Sequence, residues 1–181
     1  MDSVCVFCGS REGAQALYAQ AAARLGSLLA ASGITLIYGG GRVGLMGVVA
    51  DAALAGSGRV IGVMPQMLLE RELGHPRLTE LRVVQTLSHR KATMAELADA
   101  FVILPGGIGT LDELFEMWSW TQLGLHRKAA GLLNVGGYFD PLIQFMDRTV
   151  MEGFVSQRSR QTLVVDTDEK RLLDSLQRWS R

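Results

Sequence analysis

The chain predicts an α/β fold: a single-domain, Rossmann-like parallel sheet with helices on both faces. Three observations point there. Short apolar runs alternate with longer amphipathic segments along the whole chain, as parallel strands do when covering helices bury them on both faces. Glycine-rich turns follow several of the apolar runs, at Gly9-Ser10, Gly39-Gly40-Gly41 and Gly106-Gly107, where a strand gives way to a helix. No low-complexity stretch or linker interrupts the 181 residues, a length that one core can organise.

The elements follow in order. Val4 to Cys8 is the first apolar run, and Gln15 to Ala31 is rich in alanine and leucine with helical period. Ile34 to Tyr38 reads as a strand, Leu45 to Ala55 as a helix, and Val60 to Met64 as a strand stopped by Pro65. Pro65 to Thr79 is the least regular stretch, an excursion that could wall a site. Leu81 to Gln85 is a strand, Lys91 to Ala98 a helix, Phe101 to Leu104 a strand and Leu111 to Leu123 a helix. Ala129 to Val135, Pro141 to Glu152, Leu163 to Val165 and Glu169 to Trp179 complete the alternation.

Composition excludes several classes. The 18 basic residues balance 18 acidic ones, which argues against a nucleic-acid or membrane-surface binder. No run approaches a membrane span, and Met1-Asp2-Ser3 lacks the basic segment of a signal peptide, so a cytoplasmic setting is expected. Cys5-x-x-Cys8 invites a redox or zinc reading. In a strand, however, residues three apart face opposite ways, and no second ligand pair is present. His75, His89 and His126 are scattered, so no metal site is expected.

The most informative stretch is Leu104-Pro105-Gly106-Gly107-Ile108-Gly109-Thr110-Leu111-Asp112-Glu113. A glycine turn between strand and helix brings backbone N–H groups close to a ligand, and the helix start favours phosphate. The loop ends in carboxylates rather than a lysine. Acidic residues in a first turn also complement the dipole, but beside a bound phosphate they suggest chemistry at a neighbouring electron-poor centre. Gly39-x-Gly41-x-x-Gly44 formally matches a dinucleotide fingerprint. The next strand ends Val63-Met64-Pro65-Gln66 without the acidic residue that would hold a ribose. No Walker lysine follows either glycine loop. In Ser88-His89-Arg90-Lys91-Ala92-Thr93-Met94, basic residues open a helix against its dipole, a placement that calls for an anion nearby. In such sheets ligands bind at the carboxyl ends of the strands, so Gly9-Ser10, Gly39 to Gly41 and Gly106 to Thr110 should gather there.

Together these segments resemble the LONELY GUY (LOG) family, nucleoside 5′-monophosphate phosphoribohydrolases that activate cytokinins. Pro105 to Glu113 matches the family pattern PGGxGTxxE, and Arg90-Lys91 its upstream pair. Phe7 to Ser10, Tyr38 to Gly47 and Gly131 to Tyr138 also fit, so the match runs nearly end to end. The resemblance implies cleavage of the N-glycosidic bond of an adenine-type nucleoside 5′-monophosphate, giving free base and ribose 5-phosphate. It implies Glu113 and Arg90 as catalytic groups. Substrate contacts would come from Gly9, Ser10, Gly40, Gly41, Glu72, Arg90, Lys91, Met94, Gly106, Gly107, Ile108, Gly109, Thr110 and Asp112. It further implies no cofactor and a small-molecule nucleotide substrate.

Asp112 stands where the family usually has Glu, and Ser88 and Gly74-His75-Pro76-Arg77 also depart from its pattern, which bears on base preference. The family is often labelled lysine decarboxylase-like. A pyridoxal phosphate enzyme needs a Schiff-base lysine, and Lys91 is the only candidate near the site, beside a competing arginine. A non-catalytic nucleotide or phosphorylated-cofactor binding module on the same fold is the alternative. Trp118, Trp120, Leu123 and Leu125 make the helix after the loop too apolar for one buried stripe, and the family's dimer fits that, so a homodimer is expected.

Overall fold

A computed structural model describes residues 1–70 and 73–179. The strands are β1 (Ser3–Phe7), β2 (Thr35–Tyr38), β3 (Val60–Pro65), β4 (Glu80–Val84), β5 (Ala100–Ile103), β6 (Ala130–Leu133) and β7 (Leu163–Asp166). Between them run α1 (Ala16–Ala31), α2 (Gly44–Ala55), α3 (Gln66–Leu69), α4 (Leu87–Leu97), α5 (Ile108–Gln122), α6 (Asp140–Met151) and α7 (Gln157–Gln161), and α8 (Glu169–Trp179) follows β7. All seven strands pair in parallel, in the order β4-β3-β2-β1-β5-β6-β7. This is the expected doubly wound α/β sheet.

Side-chain alternation along β1 divides the core. Val4, Val6 and Cys8 pack on one face with residues of α1, α2 and α8. Cys5 and Phe7 pack on the other with residues of α4, α5 and α6. The two cysteines therefore lie on opposite faces, both unpaired and buried. Among the described residues no helix is long and apolar enough to cross a membrane.

The winding reverses between β1 and β5, and their register decides what emerges there. Cys5 lies opposite Phe101 and Phe7 opposite Ile103, so both chains leave the sheet side by side. The Gly9 N–H donates to the Pro105 carbonyl at 3.0 Å and joins the two turns.

Local chemistry moved several boundaries. α4 begins at Leu87 rather than Lys91, because the Thr86 side chain accepts the His89 N–H at 3.0 Å and caps the helix earlier. α5 begins at Ile108 rather than Leu111, which brings Gly109 and Thr110 into its first turn. β6 stops at Leu133, and a 3₁₀ turn at Val135–Gly137 replaces its expected end. The short α3 and α7 left no periodic signal of their own.

The Pro65–Thr79 excursion is anchored at Leu73 and His75. His75, buried, donates its backbone N–H to the Gly40 carbonyl at 2.9 Å, and its Nε2 lies 3.2 Å from Asp51 Oδ1. The Arg42 N–H donates to the Leu73 carbonyl at 3.1 Å. The excursion is thereby held against the glycine turn after β2.

Candidate active site

Above the carboxyl ends of β1, β2, β3 and β5 lies a cavity of about 400 Å³. A hollow of similar size, about 460 Å³, lies beside the excursion at Arg42, His75 and Leu78, and shares none of the groups described next.

One wall of the cavity is the start of α5. Gly107 stands at the N-cap and supplies no side-chain cap, and among the described residues no side-chain bond to that first turn is seen. The opening N–H groups of a helix have no partners within it, and they carry its positive dipole end. Here they belong to Ile108, Gly109 and Thr110, which line the cavity with Gly107. Gly106 must be glycine, because a Cβ there would collide with the Thr110 hydroxyl. Thr110 is buried, and Glu113 follows it by three residues on the same helix face. That spacing puts a carboxylate one turn behind the glycine loop.

Arg90 comes from α4. Its Nε donates to the Val63 carbonyl at 3.1 Å and its Nη1 to Glu113 Oε1 at 3.2 Å. The guanidinium passes over Gly39, where a Cβ would overlap Nη2. The glycine-rich turn after β2 thus makes room for an arginine rather than a pyrophosphate. Side-chain exposures of 15% for Arg90 and 11% for Glu113 mean that neither charge is hydrated as it would be in water.

Burial raises the Glu113 carboxyl, and Arg90 only partly offsets that, so it stands at about 7 against an ordinary 4.5. At neutral pH it divides between acid and carboxylate, where a general base works best. The Cys8 thiol, also on the cavity wall, is pushed up by burial first and by Glu113 second. It stays protonated and is not an activated nucleophile.

Lys91 is turned the other way. Consecutive helical residues diverge, and its Nζ sits 2.8 Å from Asp112 and 2.5 Å from Glu116 on α5. Burial would lower its pKa, but the hydrogen bonds and charges of those two carboxylates outweigh burial and raise it. Lys91 and Asp112, both expected to touch substrate, are not among the residues lining the cavity and tie α4 to α5. Met94, fully buried, belongs to the core beneath the sheet, with Phe7 and Leu114 in the same cluster. Met94, also expected to touch substrate, lies one turn past Arg90 on the core side and is not among the residues lining the cavity.

Of the other expected contacts, Ser10 and Gly41 line the cavity, while Gly9, Gly40 and Gly106 support it from behind. Gly9 does so through Pro105, and Gly40 through His75. Glu72 lies outside the described residues. The opposite wall is apolar, formed by Val43, Met46, Met64, Leu68 and Leu73. None of these is singled out by the sequence. β3 is buried along its whole length, so its apolar run carries no mark for Met64, and Leu68 and Leu73 reach the cavity only because the excursion folds back.

Fold and site together define a doubly wound α/β protein in which a helix start without a side-chain cap shares a cavity with a buried arginine–glutamate pair. A family model described as "Possible lysine decarboxylase" matches residues 46–176. The chain is 48% identical over 177 residues to a probable cytokinin riboside 5′-monophosphate phosphoribohydrolase, LOGL2, of Oryza sativa subsp. japonica, covering 98% of this chain and 72% of that protein. It is 47% identical over 177 residues to the cytokinin riboside 5′-monophosphate phosphoribohydrolase LOG4 of Arabidopsis thaliana, covering 98% and 82%. The chain belongs to this LOG family. Among solved structures, the molybdenum cofactor binding protein of Rippkaea orientalis superposes with a TM-score of 0.74 at 20% identity, covering 97% of this chain and 95% of that one; this likeness is one of fold.

The word decarboxylase in that family description finds no support in the side chains. A Schiff-base lysine must lose its proton to act, and Lys91 is held charged outside the cavity. Burial lowers the pKa of Lys128, but it donates to the Ala95 carbonyl and does not line the cavity, and Lys170 pairs with Asp174 on α8. The sequence contains no other lysine.

Proposed function

We propose that the protein hydrolyses the N-glycosidic bond of adenine-type nucleoside 5′-monophosphates, both AMP and cytokinin riboside monophosphates, to free base and ribose 5-phosphate. One observation carries this reading: an uncapped helix start and a buried Arg90–Glu113 pair share one cavity.

The 5′-phosphate takes the N–H groups of Gly107 to Thr110. The ribose then lies over Glu113, one turn further along α5. As the bond from C1′ to the base nitrogen breaks, positive charge develops on the sugar, and the Glu113 carboxylate stabilises it. The same carboxylate orients water for attack at C1′ and takes its proton. Arg90 neutralises the substrate's negative charge and donates a hydrogen bond to the departing base. The apolar wall of Met46, Met64, Leu68 and Leu73 accepts adenine, with or without an apolar substituent on its amino group. The two unpaired buried cysteines suit a reducing, cytoplasmic setting.

Incubation with AMP and with isopentenyladenosine monophosphate, followed by chromatography, should show free base from both. Tight binding without base release would instead favour the non-catalytic module. The phosphate loop makes a further demand. Binding energy from a remote group serves to position the reacting centre, so AMP should exceed adenosine in kcat/KM by at least about 10-fold. Comparable rates would remove the role assigned to Gly107 through Thr110.

We also propose a homodimer, on altered grounds. Trp118 is buried and donates its indole N–H to the Ser159 carbonyl, so it is core. Leu123 and Leu125 are exposed, and so are Phe115 on α5 and Phe145, Met151 and Phe154 at α6. Apolar groups exposed in this number support association of two copies, which would cover them. Light scattering at micromolar concentration should give twice the chain mass of 19.7 kDa; a monomer would refute the proposal.

A further inference from the structure

Three successive carbonyls lead into α5, and each is occupied. The Pro105 oxygen accepts from the Gly9 N–H at 3.0 Å and the Gly107 oxygen from the Leu111 N–H at 3.1 Å. Both are backbone contacts. The middle one differs, because the Gly106 oxygen accepts from the Tyr138 hydroxyl at 2.6 Å. The peptide plane between Gly106 and Gly107 is flanked by two glycines and has little steric resistance to rotation. In a trans peptide the N–H points opposite to the carbonyl. Anchoring the Gly106 oxygen on Tyr138 therefore fixes where the Gly107 N–H points.

The tyrosine is itself firmly placed. β6 ends beside β5, and the turn after it bends through Gly136 at φ 59° and Gly137 at φ 73°. Buried Asn134 braces that turn, accepting the Phe139 N–H at 2.8 Å and donating to Asp140 Oδ1 at 2.6 Å. The Tyr138 ring packs edge-on against Tyr18 of α1, with centroids 5.7 Å apart. It is nevertheless 41% exposed, so the core does not depend on it.

We propose that Tyr138 is a positioning residue for the phosphate loop: its hydroxyl holds the Gly106–Gly107 peptide so that the Gly107 N–H meets the 5′-phosphate. This rests on the phosphate reading above. Without the hydroxyl, the plane can rotate and present a carbonyl oxygen to the anion.

The test compares the parent protein with Tyr138→Phe, which keeps the ring and removes one hydrogen bond. Calorimetry with ribose 5-phosphate should show affinity about 3-fold to 10-fold weaker, the worth of one such bond, while adenine binds as before. KM for AMP should rise by the same factor with kcat nearly unchanged, and the melting temperature should hold. Unchanged affinity for ribose 5-phosphate overturns the proposal, as does an equal loss for adenine. A Tyr138→Phe chain that fails to fold also overturns it, since the hydroxyl would then serve the fold. If the parent releases no base from AMP, the enzymatic reading fails separately, and the ribose 5-phosphate comparison still decides the role of Tyr138.

Discussion

Glu113→Gln should lower kcat for AMP by on the order of 100-fold or more, the usual contribution of a general base, while KM stays close to that of the parent. Glutamine keeps the shape but can neither oppose an oxocarbenium charge nor take a proton from water. An interaction made in the transition state shows in kcat rather than in binding. The pH dependence follows from the burial of the same group. The ionised form is the active one, so kcat/KM in the parent should fall as pH drops through about 7. A limb near about 6 belongs instead to the second ionisation of a phosphate monoester. Stability runs the opposite way. Between the ordinary 4.5 and about 7 the folded chain holds a proton that the unfolded chain has released, so stability falls as pH rises across that window. The gap corresponds to on the order of 3 kcal/mol. Glu113→Gln removes the slope and should melt higher than the parent at a pH of about 8, above the whole window. Near-normal turnover in folded Glu113→Gln protein would reduce the carboxylate to a partner of the helix dipole.

Arg90→Ala should lower kcat/KM by a similar or larger factor, and by another route. Arginine meets the substrate before and during reaction, so KM should rise and kcat should fall together. Its loss also leaves Glu113 without the cation that holds its pKa down, so whatever activity remains should need a higher pH, with its midpoint above about 7. Lysine cannot replace it, since a single ammonium cannot reproduce a planar fork set between the Val63 carbonyl and Glu113. An unchanged midpoint in Arg90→Ala would separate the two side chains and break the proposed pair.

The proposed pair is legible in the sequence through its match to the LOG pattern, and two local features agree with that match. Arg90 opposes a helix dipole, and Glu113 follows a loop suited to phosphate. The strands are legible because apolar runs bounded by glycine leave few alternatives. What stays hidden depends on contacts between distant segments. Lys91 shares its neighbour's surroundings in the sequence but not its direction, and only the packing of α4 on α5 sends it to Asp112 and Glu116. Met94 reads as part of the Arg-Lys segment, and only its burial assigns it to the core. The apolar wall is invisible for the same reason, since Leu68 and Leu73 belong to a stretch without period that His75 folds back onto Gly40.

The passage of Arg90 over Gly39 bears on how such a chain can change through descent. No side chain at position 39 is compatible with the arginine as placed, because even a methyl group would occupy the space of its terminal nitrogen. The two positions are therefore sterically coupled. A lineage that loses the arginine is released from the glycine and can fill the gap, and once it is filled, restoring the arginine alone no longer rebuilds the site. The order of substitution matters, and loss of this activity would pass through a step that is hard to reverse.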